Sequence, residues 1–352
     1  MHMSDALISP AVGATFWAGT LVAIAYCSRK LKENIDDKLI PLMGVMGAFI
    51  FAAQMINFTI PGTGSSGHLG GGMILTAMLG AYPAFIVMAS VLTVQALFFA
   101  DGGLVALGCN IWNLGIYPCF IAYPLIYKPL VKDASSAKRV ATASVASAII
   151  ALQLGAFSVV MQTLLSGRSE LPFSSFALAM QPIHLAIGIV EGIITAGVIN
   201  FVRAARPEIL ESAILSRPLS PNISIKKLLL VLGMAALITG GAMSWFASSH
   251  PDGLEWSVEK IFGKPELPEK ETGFSSAMKS IQEKTALMPD YDFKKPEKDE
   301  EGSVNKESEP QRPSVGTGTS VSGIIGSLLV VAAVVIFGFL IKAFRKKSVQ
   351  QP

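Results

Sequence analysis

The sequence is poor in charge and lacks the motifs of common membrane enzymes. Charged residues make up 15% of the 352 residues, hydrophobic residues make up 51%, and the net charge is +3. This composition is typical of a polytopic membrane protein that lies in the lipid bilayer, and the small net charge argues against a nucleic acid partner. Neither a GxxxxGK(S/T) phosphate loop nor an HExxH motif occurs, which excludes the usual routes to ATP hydrolysis and zinc-dependent proteolysis.

Potential metal-binding side chains are few. The cysteines Cys27, Cys109 and Cys119 have no CxxC spacing and lie in apolar runs, so we expect buried small side chains rather than a thiolate metal site. Histidine is therefore the more informative residue. The chain contains His2, His68, His184 and His250.

Long apolar runs predict an all-α polytopic membrane protein, because a spanning helix needs about 20 mostly apolar residues. We expect a module of about seven helices followed by two further transmembrane helices. The segments are 6–28, 40–60, 71–80, 83–100, 104–127, 139–165, 181–203, 226–247 and 321–341. The third is short, and the sequence leaves open whether residues 80–83 form a turn between two spans or a kink within one.

Basic residues cluster after the first, fifth, seventh and last segments. By the positive-inside rule these connections face the cytoplasm, so the N-terminus and the His68 loop are expected outside and the C-terminus inside. Charge follows the first segment instead of preceding it, which favours a retained helix over a cleaved signal peptide.

A change in composition divides the chain. Residues 1–205 and 226–352 are predicted to form two modules, joined by a cytoplasmic connector, 206–225, that contains three prolines. In the second module, residues 248–320 carry charges of both signs and few large apolar residues. Apart from a short helix predicted at 255–262, this stretch is expected to be a flexible extracytoplasmic segment between two helices.

The first residues of the chain could chelate a metal. The amine of Met1 and the backbone nitrogen and imidazole of His2 supply three nitrogens, and a fourth would complete the square plane preferred by Ni(II) and Cu(II). His68 stands out as a fourth ligand because it lies in the glycine-rich stretch PGTGSSGHLGGG at 61–72. The alternative is an ordinary terminus with no metal role.

Polar residues within membrane segments are costly and are functional candidates. They could form a second shell or an entry path for the ion, or simply hydrogen-bond neighbouring helices. The candidates are Gln54, Asn57, Gln95, Asn110, Asn113, His184 and Glu191.

Small residues recur every four positions in two predicted helices and would let helices approach closely. Both faces could pack inside the fold, or offer a docking surface to another membrane subunit. They are Thr15, Gly19 and Ala23 in the first helix, and Gly188, Gly192 and Ala196 in the seventh.

Over about residues 1–205 the sequence resembles the nickel/cobalt substrate-capture component (CbiM/NikM type) of energy-coupling-factor transporters. The resemblance rests on MHMSDALISP at the start, the 61–72 stretch, Gln95 to Asn113 and His184 to Gly192. The stretch His250-Pro-Asp-Gly-Leu-Glu255 resembles the opening of the small accessory subunit (CbiN/NikN type), here fused behind the capture component.

The resemblance implies that Ni(II) or Co(II) is a transported substrate and that the chain is not an enzyme. Its ligands would be the Met1 amine, the backbone nitrogen and imidazole of His2, and His68, with the terminus pushed into the protein interior. A coupling transmembrane (T) subunit and ATPase (A) subunits would complete the transporter in the cytoplasmic (inner) membrane of a prokaryote. The start departs from the Met-His-Ile form common among cobalt members, which favours nickel.

Two other functions remain open at this point. The same site could serve a membrane-embedded metalloenzyme, although four nitrogens leave no open position in the plane for a substrate. The chain could also be a structural membrane anchor that displays residues 248–320 to an outer partner.

Overall fold

The computed structural model describes residues 2–35, 37–132, 136–168, 171–220, 223–265, 267, 273–294 and 317–348. Met1, predicted to supply an amine ligand, lies outside the described residues. The helices are α1 (Pro10–Asn34), α2 (Leu39–Gln54), α3 (Gly72–Leu79), α4 (Ala81–Phe99), α5 (Leu107–Val131), α6 (Ala137–Ser166), α7 (Phe173–Ala205), α8 (Pro207–Leu215), α9 (Lys226–Gly241), α10 (Gly253–Phe262), α11 (Gly273–Thr285) and α12 (Thr317–Ser348). An antiparallel hairpin joins α2 to α3 and consists of β1 (Phe58–Ile60) and β2 (Ser65–Gly67).

The protein is an all-α polytopic membrane protein, as predicted. Within the described ranges, six helices are long and apolar enough to cross a membrane, namely α1, α4, α5, α6, α7 and α12. The first module has the seven predicted segments, but α3 contains only eight residues. At about 1.5 Å per residue it reaches only part of the way across a bilayer. Gly80, whose φ of 81° suits glycine, separates it from α4.

The long α6 and α7 pack against each other through the small-residue face predicted in the seventh segment. A Cβ placed on Gly192 would lie 2.6 Å from the Cα of Val145, and one on Gly188 would lie 3.0 Å from the Cα of Ile149. Only glycine permits this backbone approach, so this face packs inside the fold.

The proposed docking face on α1 is divided. A Cβ on Gly19 would lie 2.9 Å from Trp112, so this glycine faces a side chain of α5. Thr15 is exposed and donates its hydroxyl hydrogen bond to Ala11, one turn earlier in the same helix, while Ala23 is half-buried. Within the predicted docking surface, Thr15 is therefore exposed, whereas Gly19 packs inside the fold against Trp112.

The second module packs directly on α2 of the first. A Cβ on Gly47 would lie 2.8 Å from Val330 of α12, and α9 meets α12 where Gly240 faces Gly323. The connector, residues 206–225, contains α8, and Tyr123 of α5 donates a hydrogen bond to the carbonyl of Ala213 there. The two modules thus share one packed body.

The prediction of a flexible segment over 248–320 is wrong for part of its length. The short helix expected at 255–262 forms as α10, and Asp252 caps its N-terminus with a capping box to Glu255. Residues 273–285 form α11, and Pro289–Tyr291 form a 3-10 turn. These residues pack against the first module, which supplies the apolar surface that their own sequence lacks. Residues 266, 268–272 and 295–316 of this stretch lie outside the described part.

Candidate metal site

The chain that precedes α1 is held in the protein interior. The amide side chain of Asn110 pairs with the backbone of Met3, accepting from its N–H at 2.9 Å and donating to its carbonyl at 3.2 Å, while Gly103 N–H also donates to that carbonyl. The buried carboxylate of Asp5 accepts a hydrogen bond from the backbone N–H of Ala106 at 2.9 Å. These contacts place His2 beside the glycine-rich loop.

The glycine-rich loop is held by Glu191 of α7. Its two carboxylate oxygens accept hydrogen bonds from the backbone N–H groups of Gly70 at 2.7 Å and Gly71 at 3.1 Å. Gly71 has a φ of 75°, a conformation that favours glycine, and it precedes α3. Glu191 therefore fixes the loop that carries His68.

The fold brings His2 and His68 together, although 65 residues separate them in the chain. Their rings stack with centroids 5.1 Å apart and an angle of 25° between their planes. Each side chain is only 9% exposed. The two imidazoles are thus stacked and almost completely shielded from solvent.

A chain of hydrogen bonds fixes the tautomer of His2. Gln54 donates to the carbonyl of Gly70, so the oxygen of Gln54 accepts from the amide NH₂ of Gln95, at 2.9 Å in both bonds. The oxygen of Gln95 is then the acceptor that faces His2 Nε2 at 3.2 Å. The backbone carbonyl of Gly70 can only accept a hydrogen bond, and this fixes the direction of each hydrogen bond between Gly70 and His2. Nε2 of His2 therefore carries the proton, and Nδ1 has the free lone pair.

The ring of His68 is oriented in a similar way. Its Nδ1 lies 3.2 Å from the carbonyl of Leu69, an acceptor, so the proton belongs on Nδ1 and Nε2 is the metal-binding atom. In histidines that bind metals, the ring nitrogen that does not bind the metal typically donates a hydrogen bond in this way.

A carboxylate faces each imidazole. Asp101 Oδ1 lies 3.6 Å from His2 Nδ1, and Asp252 Oδ2, from the second module, lies 3.6 Å from His68 Nε2. Both contacts are longer than a hydrogen bond. The two carboxylates place negative charge next to the nitrogens that would receive a cation.

Burial determines the charge state of His2. Desolvation lowers the pKa of His2 to about 4, although the nearby Asp101 acts in the opposite direction. The imidazole is therefore neutral at physiological pH, as a metal ligand must be.

Side chains alone do not complete a metal site. Among the residues that the structure describes, no three His, Cys, Asp or Glu side chains are grouped so that they could hold a metal ion.

Two other predicted residues, Asn113 and His184, make different contacts near the site. Asn113 pairs with Gln162 through two hydrogen bonds of 2.9 Å, and it also contacts the sulfur of Met3, so it supports the terminal segment indirectly. His184 lies beside Gly253, the first residue of α10, and its Nδ1 is 2.8 Å from the carbonyl of Met180.

Asn57 is not drawn into the site. Its backbone carbonyl accepts a hydrogen bond from Ser248, and its half-buried side chain has no described contact with the histidines. The three cysteines are buried and unpaired with one another, as predicted.

Sequence reasoning missed two residues that the structure places at the site. Asp101 and Asp252 lie in the stretches that carried the family resemblance, yet neither received a role. Their sequence signal is weak: Asp101 follows an apolar helix by two residues, and Asp252 is the aspartate of the PDGLE stretch.

Glu191 offers a direct test of the loop. In Glu191→Leu, the N–H groups of Gly70 and Gly71 lose their acceptors, and each buried unpaired donor costs roughly 1–3 kcal/mol. We expect a lower unfolding temperature in detergent and weaker metal binding. Glu191→Gln retains one acceptor oxygen, so it should lose less; equal stability of wild type and Glu191→Leu would contradict this role.

The fold and site define a polytopic membrane protein with a buried, stacked pair of histidines. The family described as "CbiM: Cobalt uptake substrate-specific transmembrane region" matches residues 2–209, and the chain belongs to it. The domain described as PDGLE matches residues 226–343. The chain is therefore a membrane component of transition-metal uptake with a fused accessory domain.

Relatives named for nickel and for cobalt are both found. The chain is 29% identical to the fused nickel transport protein NikMN of Rhodobacter capsulatus over 74% of this chain and 76% of that protein. It is 30% identical to the cobalt transport protein CbiM of Sorangium cellulosum over 60% of this chain and 95% of that one. A crystal structure of a transition metal transporter superposes with a TM-score of 0.52 at 29% identity, over 60% of this chain and 97% of the other.

Proposed function

We propose that this chain is the substrate-specific component of an ATP-driven energy-coupling-factor transporter that takes up Ni(II), with Co(II) as the second substrate. The observation that supports this best is the buried pair of His2 and His68, stacked at 5.1 Å. Hydrogen bonds to Gln95 and Leu69 orient the two rings so that one nitrogen of each is suited to a cation.

The proposed ligands are four nitrogens. They are the amine of Met1, the backbone nitrogen of His2, His2 Nδ1 and His68 Nε2. Such an all-nitrogen set favours a square plane, which suits Ni(II) better than Zn(II) or Mg(II). Nitrogen donors bind Cu(II) more tightly still, so uptake of nickel also depends on the low availability of free copper.

The proposed topology follows the distribution of basic residues. The N-terminus and the site face the outside of the cytoplasmic (inner) membrane of a prokaryote, and the C-terminus and the connector 206–225 face the cytoplasm. A coupling transmembrane subunit and ATPase subunits act from that side. The exposed face of α1, where Val22 is 70% exposed, is a contact surface for the coupling subunit.

Metal analysis of the purified protein tests this function. Protein with an untagged, verified Met1 terminus should bind one equivalent of nickel and show the absorption spectrum of diamagnetic square-planar Ni(II). His68→Ala removes the fourth nitrogen and should lose both the metal and the spectrum. The matched control is His250→Ala, because this histidine is exposed and its described contacts are made by its backbone.

Retention of the same nickel spectrum in His68→Ala would contradict the proposed ligand set. Failure of the wild type to bind either nickel or cobalt would remove the proposed function itself.

A further inference from the structure

The outer segment of the accessory domain, defined here as residues 282–291, caps the end of α4. Gln282 Nε2 donates to the carbonyls of Ala96 at 2.9 Å and Gly102 at 2.8 Å. The backbone N–H groups of Leu287 and Met288 both donate to the carbonyl of Phe98, at 2.9 and 3.2 Å. The last carbonyls of a helix have no partners within it, so the outer segment satisfies groups that α4 leaves open.

The residues that follow α4 in the chain lie at the metal site. Asp101 follows this helix, and Gly103, two residues further on, donates its N–H to the carbonyl of Met3, next to His2. The segment that caps α4 thus holds the same stretch of backbone that places His2.

Tyr291 connects the outer segment to the site. Its ring stacks on Phe99, with centroids 5.0 Å apart and an angle of 16° between the planes. Its hydroxyl donates a short hydrogen bond to Asp101 Oδ2. Asp101 Oδ1 is thereby directed to His2 Nδ1 at 3.6 Å, the ring nitrogen that a terminal chelate would use.

We propose that the outer segment closes the metal site and that Tyr291 is a positioning residue, which fixes the carboxylate of Asp101 beside the metal-binding nitrogen of His2 and so helps to retain the bound cation. The inference rests on the proposed metal-capture function and deepens it. It makes the accessory domain a structural part of the loaded site. Because Tyr291 contacts no proposed ligand directly, its removal affects how long the cation stays rather than whether it binds.

Tyr291→Phe tests the proposal because it keeps the aromatic ring on Phe99 and removes only the hydroxyl. Nickel-loaded full-length protein is mixed with an excess of a chelator, and the release of Ni(II) is followed by absorbance. We expect release roughly tenfold faster than in wild type, the scale of one hydrogen bond to a charged group. The visible spectrum of the bound nickel should shift as well, which a purely structural defect far from the metal would not cause.

Matched controls make the result specific. Tyr26→Phe removes the hydroxyl of a half-exposed tyrosine on α1 and should release nickel at the wild-type rate. Gln282→Ala, which removes both donors to the end of α4, should also accelerate release, whereas the exposed neighbour Lys284→Ala should not.

Wild-type release from Tyr291→Phe, with nickel binding still lost in His68→Ala, would overturn this inference and leave the proposed function intact. Absence of nickel and cobalt binding in every protein, wild type included, would overturn both.

Discussion

A dipeptide added in front of Met1 is expected to abolish tight nickel binding. The extension Ser-Pro converts the Met1 amine into an amide, so the chelate loses its terminal nitrogen. The proline has no N–H, so the new backbone cannot offer a chelate of a similar kind. Loss of a direct ligand should exceed the roughly 10–100-fold loss of affinity that follows removal of a group that merely supports a ligand.

The matched control carries the same dipeptide after Pro352. It has the same composition and should bind nickel like the wild type, since the C-terminus is expected on the cytoplasmic side. Isothermal titration of both proteins with Ni(II) makes the comparison, and thermal unfolding without metal shows whether the fold is kept. Tight binding by the N-terminally extended protein would rule out the terminal amine as a ligand.

Nickel affinity is expected to fall steeply as the pH is lowered from 8 to 6. The amine has a reference pKa of about 8 and must lose its proton to bind, and the amide nitrogen of His2 must release a proton to the metal. Protonation competes with the metal, so acid weakens binding. With one proton at each of these two nitrogens, affinity should fall roughly 30-fold per pH unit near pH 8 and approach roughly 100-fold per unit toward pH 6.

The buried imidazole of His2 does not add to this slope. Desolvation lowers the pKa of His2 to about 4, so the ring is already neutral throughout the range from pH 6 to 8. An exposed histidine, with a pKa of about 6.5, would have steepened the profile toward pH 6. Competition titrations at each pH measure the slope, and a flat profile would contradict coordination by the amine and the amide.

The accessory domain shows where sequence reasoning reached its limit. Residues 273–291 have too few large apolar side chains to bury a core, which is why the sequence predicts flexibility there. In the structure they gain their partners from the first module, where Tyr291 stacks on Phe99 and Gln282 bonds to the end of α4. A contact supplied by a distant segment leaves no local pattern.

In the candidate metal site, too, some residues are recognisable from local sequence and others only from tertiary contacts. His2 and His68 were predicted because a terminal Met-His pair and a histidine among glycines are unusual local features. The roles of Asp101 and Asp252 were not predicted, since a lone carboxylate outside a membrane helix is ordinary in sequence. Their relevance arises only from the 3.6 Å distances to the two imidazoles.

By itself the sequence determined the class of fold, because long apolar runs are local properties of the chain; the division into two modules and the metal role of the histidines are predictions from the same kind of local pattern. The tertiary structure decided that Gly80 separates α3 from α4, that Gln54 and Gln95 orient His2, and that residues 282–291 cap the end of α4. Those features depend on hydrogen bonds between residues tens to hundreds of positions apart, as between Gln282 and Ala96. Such pairings are selected by how the helices pack, and no stretch of the sequence encodes them alone.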